Sequence, residues 1–241
     1  VVHAPGGNAD SVAEFTMALL LTLAKRVCKA ASLTKLGVWE DAVHSDFYFR
    51  TLFGTELKGK TLGIIGLGNI GRKVACLAKG FGMQILAYDP YVSQEKADEV
   101  GAEMVQLEKL LGLSDFISIH TPLTSETRGL IGKEEIEKMK RGVYLINTSR
   151  GAVIDEDALY DALRSGQITF AALDVLSTEP PDRDNPLLKL ENVIVTPHIA
   201  GYTPEALSKK DKMIAADLAR FFKGERPIHV ANPKVFDRIR R

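Results

Sequence analysis

Hydrophobic and polar positions change rhythm near Lys60. Before it, Phe15, Met17, Ala18, Leu20, Leu21 and Leu23 follow Ser11 and Glu14, an S-x-x-E pair that predicts a capping box and the start of a long helix. This helix is apolar on most faces, which predicts burial against another surface. Residues 36–58 lose the period and carry Trp39, Phe47, Tyr48, Phe49 and Phe53, the pattern of an irregular connector with aromatic anchors. Beyond Lys60, short apolar runs at 61–65, 84–88, 103–105, 116–120, 143–147, 169–174 and 192–196 alternate with helical stretches at 70–80, 93–100, 106–112, 132–139 and 155–165. That alternation predicts an α/β fold, a Rossmann-like doubly wound parallel sheet with helices on both faces. The strands read as continuous apolar runs, as strands buried on both faces do. A last helix spans about 203–223 and stops at Gly224, and Lys209, Lys210 and Lys212 form its solvated face.

Composition changes this picture little. The chain has 241 residues, 45% hydrophobic and 26% charged, with Lys+Arg and Asp+Glu balanced at 31 each. That balance gives no sign of a nucleic acid or an anionic membrane as partner. The longest apolar run, 18–24, is too short to span a bilayer, and no basic segment precedes it as in a signal peptide. Cys28 and Cys76 lack metal-ligand spacing and are expected to be free, mostly buried thiols of a reducing, cytoplasmic setting. No metal site is expected.

The candidate chemistry begins at Gly66, Gly68 and Gly71, a G-x-G-x-x-G turn between a predicted strand and a predicted helix. The first glycine allows the tight turn, the second lets backbone approach a pyrophosphate, and the third lets helix and sheet pack closely. The helix N-terminus offers unpaired N–H groups to phosphate. Asp89 ends the next predicted strand, where a carboxylate accepts ribose hydroxyls and repels a 2′-phosphate, favouring NAD over NADP. Further polar segments follow the later strands at 120–124, 147–151 and 196–201, where open α/β sheets bind ligands.

These motifs resemble the D-isomer-specific 2-hydroxyacid dehydrogenases. The matching stretches run in order: Val12 to Glu14, the glycine turn, Tyr88 to Pro90, His120 to Leu123, Asn147 to Gly151, Leu173 to Val175, Glu179 to Pro181, and Pro197 with His198. The resemblance implies hydride transfer between NAD(H) and a D-2-hydroxy acid or 2-keto acid. Its phosphoglycerate-oxidising branch, and hence serine biosynthesis, is the leading expectation, with glyoxylate or hydroxypyruvate as the alternative substrate.

Site roles follow from the resemblance. His198 is the expected acid/base, and imidazole titrates near neutrality. Glu179 is its carboxylate partner. Arg150 is the substrate-carboxylate clamp, suited by its planar fork. Asn8 and His198 join Arg150 in contacting substrate. Around the cofactor the resemblance places Asn69 and Ile70 beside the glycines, then Pro90 after Asp89. It adds His120, Thr121, Pro122 and Thr127 on the next loop, Thr148 and Ser149 with Arg150, and Asp174, His198 and Gly201. His120 is near the cleft but is not the acid/base, and its bland reading is structural. His3, His44 and His229 carry no motif and read as incidental.

The resemblance also implies a division of the chain. Residues 1–58 would be a helix and connector used for dimerisation, 59–202 the NAD-binding unit, and 203–241 a crossover helix and C-terminal return. Most of an N-terminal substrate domain, on the order of 100 residues, is expected to be lacking. The expected outcome is a homodimer that binds NAD with little turnover of its own. An NAD-sensing co-repressor-like module is the competing reading. A formate-dehydrogenase-like relative is disfavoured by Glu179, because that group carries Gln there.

Overall fold

The computed structural model describes residues 1–39 and 51–237. Helices α1 (Ala9–Lys25) and α2 (Val27–Lys35) come first. They are followed by β1 (Thr61–Ile65), α3 (Asn69–Gly80), β2 (Gln84–Tyr88), α4 (Gln94–Asp98), β3 (Glu103–Met104), α5 (Leu107–Leu113) and β4 (Phe116–Ile119). The chain continues through α6 (Lys133–Lys138), β5 (Val143–Asn147), α7 (Glu156–Ser165), β6 (Ile168–Leu173), β7 (Val193–Val195) and α8 (Pro204–Phe222). The strands form one parallel sheet in the order β3-β2-β1-β4-β5-β6-β7. The order reverses between β1 and β4, which opens a crevice at the C-terminal ends of those strands. The predicted α/β architecture and every predicted strand are present.

Alternation along the strands divides the interior between the two faces. Leu62, Ile64, Phe116 and Ile146 turn toward α1 and α3, against Leu20, Ala24, Val74 and Ala78. Ile65, Ile117, Ile119 and Leu145 turn the other way, toward α5, α6 and α7, against Leu110, Leu111, Leu159 and Leu163. Buried on both faces, these strands have no solvated side, hence their unbroken apolar character.

Several expectations need correction. Helix α1 begins two residues before Ser11, with Asn8 at its N-cap and no side-chain cap. Ser11 lies inside the first turn, and its hydroxyl instead donates to the tertiary carbonyl of Ala200 at 2.7 Å. The long helix breaks at Arg26, whose left-handed backbone (φ 58°) separates α1 from α2 and lays its guanidinium 3.9 Å over the Phe170 ring. Cys28 and Cys76 are free but exposed rather than buried. Cys76 lies off the Val74, Ala75 and Ala78 stripe that α3 turns to the sheet. Of the connector aromatics, Trp39 and Phe53 are exposed, while Phe47, Tyr48 and Phe49 lie outside the described residues, as does His44. Lys209 is not simply solvated: it reaches Asp10 of α1 at 3.2 Å, and Lys73 of α3 holds the other carboxylate oxygen of Asp10. His229 is not incidental either. The buried Asp217 of α8 accepts its N–H at 2.9 Å, its Nδ1 at 2.9 Å and Ile228 N at 2.7 Å. This fastens the C-terminal return, where Val230 bridges Val2.

A candidate dinucleotide cleft

The three glycines of the turn do three different things. Gly66 has φ +94°, and a Cβ there would meet His120 C at 2.8 Å, so the turn lies directly on the β4 loop. At Gly71 an added Cβ would fall on Gly66 O at 2.1 Å, which fixes the close approach of α3 to β1. At Gly68 an added Cβ meets nothing within 4 Å and would point into open space. Gly68 is the N-cap of α3, no side chain caps the helix, and its first turn holds no acidic residue. The helix end therefore presents free N–H groups and its partial positive charge to the space above Gly68.

Asp89 closes this turn from β2. One carboxylate oxygen accepts Leu67 N at 2.9 Å and the other accepts Tyr91 N at 2.9 Å. Each oxygen keeps a lone pair for a further donor. Asp89, Pro90 and Tyr91 form one wall of a hollow of about 220 Å³, and Thr121, Pro122 and Thr127 form the opposite wall. Thr127 staples that second wall by donating to Pro122 O at 2.5 Å and accepting Thr124 N at 2.8 Å.

A second hollow of about 440 Å³ continues past Gly68, Asn69 and Ile70 to Thr148, Ser149 and Arg150, with Gly6 and Asn8 at its rim. The two hollows share Gly68, His120, Thr121 and Pro122, so they make one elongated cleft along the β1/β4 crevice. Two polar atoms here are buried with no partner among the described residues, Thr121 Oγ1 and His120 Nδ1. The other ring nitrogen of His120 lies 2.8 Å from Ser118 Oγ. Burial pushes the His120 pKa down to about 3, so the ring is neutral.

The loop after β5 is built by Asn147, which sequence reasoning recorded only as part of a motif. Fully buried, its side-chain oxygen accepts Ser149 N at 2.9 Å and Ser149 Oγ at 2.8 Å, and its amide donates to Arg150 O at 3.0 Å. Arg150 is exposed, with Nη1 on Ser149 O at 2.6 Å. An added Cβ at Gly151 would strike Leu176 C at 1.9 Å, so the Arg150 loop lies directly under the segment that leads to Glu179.

Beyond β7, His198 has a left-handed backbone (φ 55°) and sits in a turn organised by Asp174. The Asp174 carboxylate is 1% exposed and accepts Thr196 Oγ1 at 2.6 Å, Ile199 N at 3.0 Å and Ala200 N at 2.8 Å. Its backbone carbonyl accepts His198 N at 2.9 Å. His198 Nδ1 lies 2.7 Å from Glu179 Oε2, and Glu179 Oε1 accepts Leu176 N at 3.2 Å. His198, Glu179 and Asp174 do not line either hollow. The turn is joined to the cleft through Gly201, where an added Cβ would lie 2.6 Å from Asn8 Nδ2. Among the described residues no group of three or more His, Cys, Asp or Glu is placed to hold a metal ion.

A doubly wound sheet, a glycine turn opening a helix at its switch point and a carboxylate at the end of the second strand define a dinucleotide-binding protein. The cradle over Gly68, the open helix end and the two partnerless polar atoms fit NAD in the cleft. Residues 17–200 match the family model described as D-isomer specific 2-hydroxyacid dehydrogenase, NAD binding domain. The chain belongs to that family, and NAD is the cofactor of its domain.

A D-3-phosphoglycerate dehydrogenase of Archaeoglobus fulgidus is 48% identical over 224 residues, which are 93% of this chain and 41% of that protein. A glyoxylate reductase of Korarchaeum cryptofilum is 46% identical over 235 residues, 98% of this chain and 70% of that one. Among solved structures, a D-lactate dehydrogenase of Aquifex aeolicus complexed with NAD and lactic acid superposes with a TM-score of 0.83 at 39% identity, covering 93% of this chain and 70% of that chain. The chain thus spans less than half the length of the phosphoglycerate dehydrogenase and about 70% of the glyoxylate reductase.

Proposed function

We propose that this chain is the NAD-binding core of a dehydrogenase that moves hydride between NAD(H) and a D-2-hydroxy acid or 2-keto acid. The observation that carries this reading is the 2.7 Å contact of His198 Nδ1 with Glu179, joined through Asn8 and Gly201 to a cleft suited to NAD. Bound NADH supplies the hydride. The chain's residues do the rest. Gly66, Gly68, Asn69, Ile70 and Gly71 hold the pyrophosphate on the α3 N-terminus. Asp89 and Pro90 take the adenosine ribose, beside Pro122 and Thr127. Thr121, His120, Thr148 and Ser149 would line the nicotinamide end, with Asp174 and Gly201 holding the turn that carries His198 beside it. Arg150 grips the substrate carboxylate with Asn8 beside it, and His198 protonates the carbonyl oxygen from Nε2 while Glu179 holds the ring.

The leading substrate is 3-phosphoglycerate, which would place this protein in serine biosynthesis in the cytoplasm. The glyoxylate reductase reading is supported by 46% identity to a relative of which the chain covers 70%. We read residues 1–58 as the dimerisation segment, 59–202 as the NAD unit and 203–241 as the crossover and return. The exposed apolar side chains of Val27, Leu36 and Trp39 support a homodimer contact there. Nucleic acid and membrane are not partners in this reading. Among the described residues no helix is long and apolar enough to cross a membrane.

Following NADH oxidation with phosphohydroxypyruvate, glyoxylate and hydroxypyruvate tests the activity. Oxidation of NADH by one of these, abolished by His198→Asn, supports the dehydrogenase. NADH binding without oxidation by any of them, in a protein carrying the substrate domain, favours the NAD-sensing module instead. Sedimentation of the 241-residue chain tests the dimer.

A further inference from the structure

Glu156 stands outside every motif stretch, in the first turn of α7. Asp155 caps that helix, accepting Asp157 N at 3.0 Å and Ala158 N at 3.2 Å, which leaves the Glu156 carboxylate free to turn away from its own helix. It reaches the loop between β6 and β7. There Oε1 accepts Ser177 N at 2.5 Å, and Oε2 accepts Asn185 Nδ2 at 3.3 Å. These partners stand at the two ends of an exposed stretch. Val175 and Leu176 before it and Leu187 after it are buried, whereas residues 177–180 and 182–184 are exposed. Glu156 thus closes the base of the loop as a staple, and Glu179 sits inside the closed part. The staple has a fixed base, because α7 buries Leu159, Ala162 and Leu163 in the core.

The peptide between Leu176 and Ser177 is held from two sides. Gly151 lies against it, where an added Cβ would fall on Leu176 C and Ser177 N, and Glu156 takes its N–H. The preceding N–H, that of Leu176, goes to Glu179 Oε1 at 3.2 Å, and Glu179 Oε2 meets His198 Nδ1 at 2.7 Å. A carboxylate on a free loop would lose backbone entropy on making these contacts, and a loop already fastened at its base has less to lose. We propose that Glu156 is a positioning residue for the acid pair, fastening the loop of Glu179 to α7 and so holding the Glu179 carboxylate on His198 Nδ1. The inference rests on the acid/base reading of that pair. Glu156 follows Arg150 across the short turn Gly151–Val153, so one segment carries the carboxylate clamp and anchors the acid pair. Glu156, Ser177 and Asn185 line neither hollow, so the staple acts on the pair and not on NAD.

The test reads the ring itself. In the 241-residue chain carrying isotope-labelled histidine, nitrogen NMR shifts report which ring nitrogen of His198 bears the hydrogen, and His198→Asn identifies its signals. Spectra are taken at about pH 9, above the ordinary titration range of imidazole. Contact with Glu179 favours the Nδ1–H form, since a carboxylate only accepts. Glu179→Ala should lower the ratio of Nδ1–H to Nε2–H at least about fivefold, the worth of one hydrogen bond. Glu156→Ala should lower it at least about threefold, as a loosened loop forms that bond for less of the time. Asn185→Asp sets a second carboxylate against Glu156 and should do the same. Combining it with Glu156→Gln inverts the pair, the new amide donating to the new carboxylate, and the ratio should return to within about twofold of the unaltered chain. NADH affinity should stay within about twofold throughout. Melting temperatures report on folding, and if Glu156→Ala folds poorly, Asn185→Asp and the combined variant carry the test. A ratio unchanged in Glu156→Ala or in Asn185→Asp, or not restored by the combination, overturns the inference. So does NADH affinity falling in parallel with the ratio, the mark of general loosening. Equal ratios in the unaltered chain and Glu179→Ala defeat the acid pair itself, and the inference with it. Failure to reduce any keto acid while the ratio responds as stated defeats the dehydrogenase reading alone and leaves the staple standing.

Discussion

The ring of His198 meets the carboxylate of Glu179 at 2.7 Å through Nδ1. An ionised carboxylate only accepts, so Nδ1 carries the hydrogen of this bond. Nε2 is then the nitrogen left free for the proton exchange proposed above. The pair comes from two segments, after β6 and after β7, joined by Asp174. Its buried carboxylate holds Ile199 and Ala200, and its carbonyl holds the His198 N–H.

Replacing His198 with Asn should lower kcat/KM for keto acid reduction by about a hundred- to ten-thousand-fold, the usual worth of a positioned acid. Glu179→Gln should cost less, about ten- to a hundredfold, because the ring keeps a neutral partner but loses the charge-assisted bond. NADH affinity should change less than about twofold in both. A matching loss of NADH binding would place the pair in cofactor binding rather than proton transfer. Steady-state kinetics beside calorimetric titration separates the two.

Gly68 and Gly71 should respond in opposite ways to the same substitution. In Gly68→Ala the new methyl meets no protein atom, so stability should stay within about 0.5 kcal/mol while NADH affinity drops at least about tenfold. In Gly71→Ala the methyl falls on Gly66 O, and stability should fall by about 1–3 kcal/mol as the helix is forced off the sheet. Urea unfolding and NADH titration of the two variants check this. Tight NADH binding by Gly68→Ala would show that the pyrophosphate lies elsewhere.

Asp89 holds the turn and is also the proposed selector between NAD and NADP. Asp89→Ala should weaken NADH binding at least about tenfold, through lost ribose contacts and a loosened Leu67 N–H. NADPH binding should weaken far less, because the repulsion of its 2′-phosphate disappears at the same time. Equal affinity of the unaltered chain for both cofactors would remove the selector role.

His120 gives the fold a definite acid dependence. Its pKa in the folded protein is about 3, lowered by burial, against about 6.5 when unfolded. The unfolded state therefore binds the proton first as pH falls. The contribution of this residue is fully present above pH 6.5 and declines below it, at about 1.4 kcal/mol per pH unit, until the folded ring also protonates near pH 3. His120→Gln should remove this slope. Urea midpoints at pH 7 and pH 5 should differ less in the variant than in the unaltered chain, and equal differences would count against a buried neutral ring.

Much of the framework is written locally. The apolar run Leu62, Ile64 and Ile65, broken at Gly66, implies a strand and turn without any partner, since backbone sterics and burial on both faces act residue by residue. The glycine turn, Asp89 and the ordered motifs up to His198 are legible for the same reason. Position in the sequence alone separates Arg150 from an ordinary surface arginine.

The tertiary structure decided what long-range partners take. Ser11 reads as a cap, yet its hydroxyl goes to Ala200 O, 189 residues away. Thr16 reads as one more helix position, yet its hydroxyl lies 2.9 Å from that of Thr148, 132 residues away. A hydroxyl has one proton and follows whichever acceptor the fold brings nearest, and no spacing rule along the chain encodes that choice. The sequence by itself determined the parallel sheet, its glycine turn and the order of the chemical groups. Only the tertiary packing decided which segments meet at the cleft, because that depends on distances between segments remote in the chain.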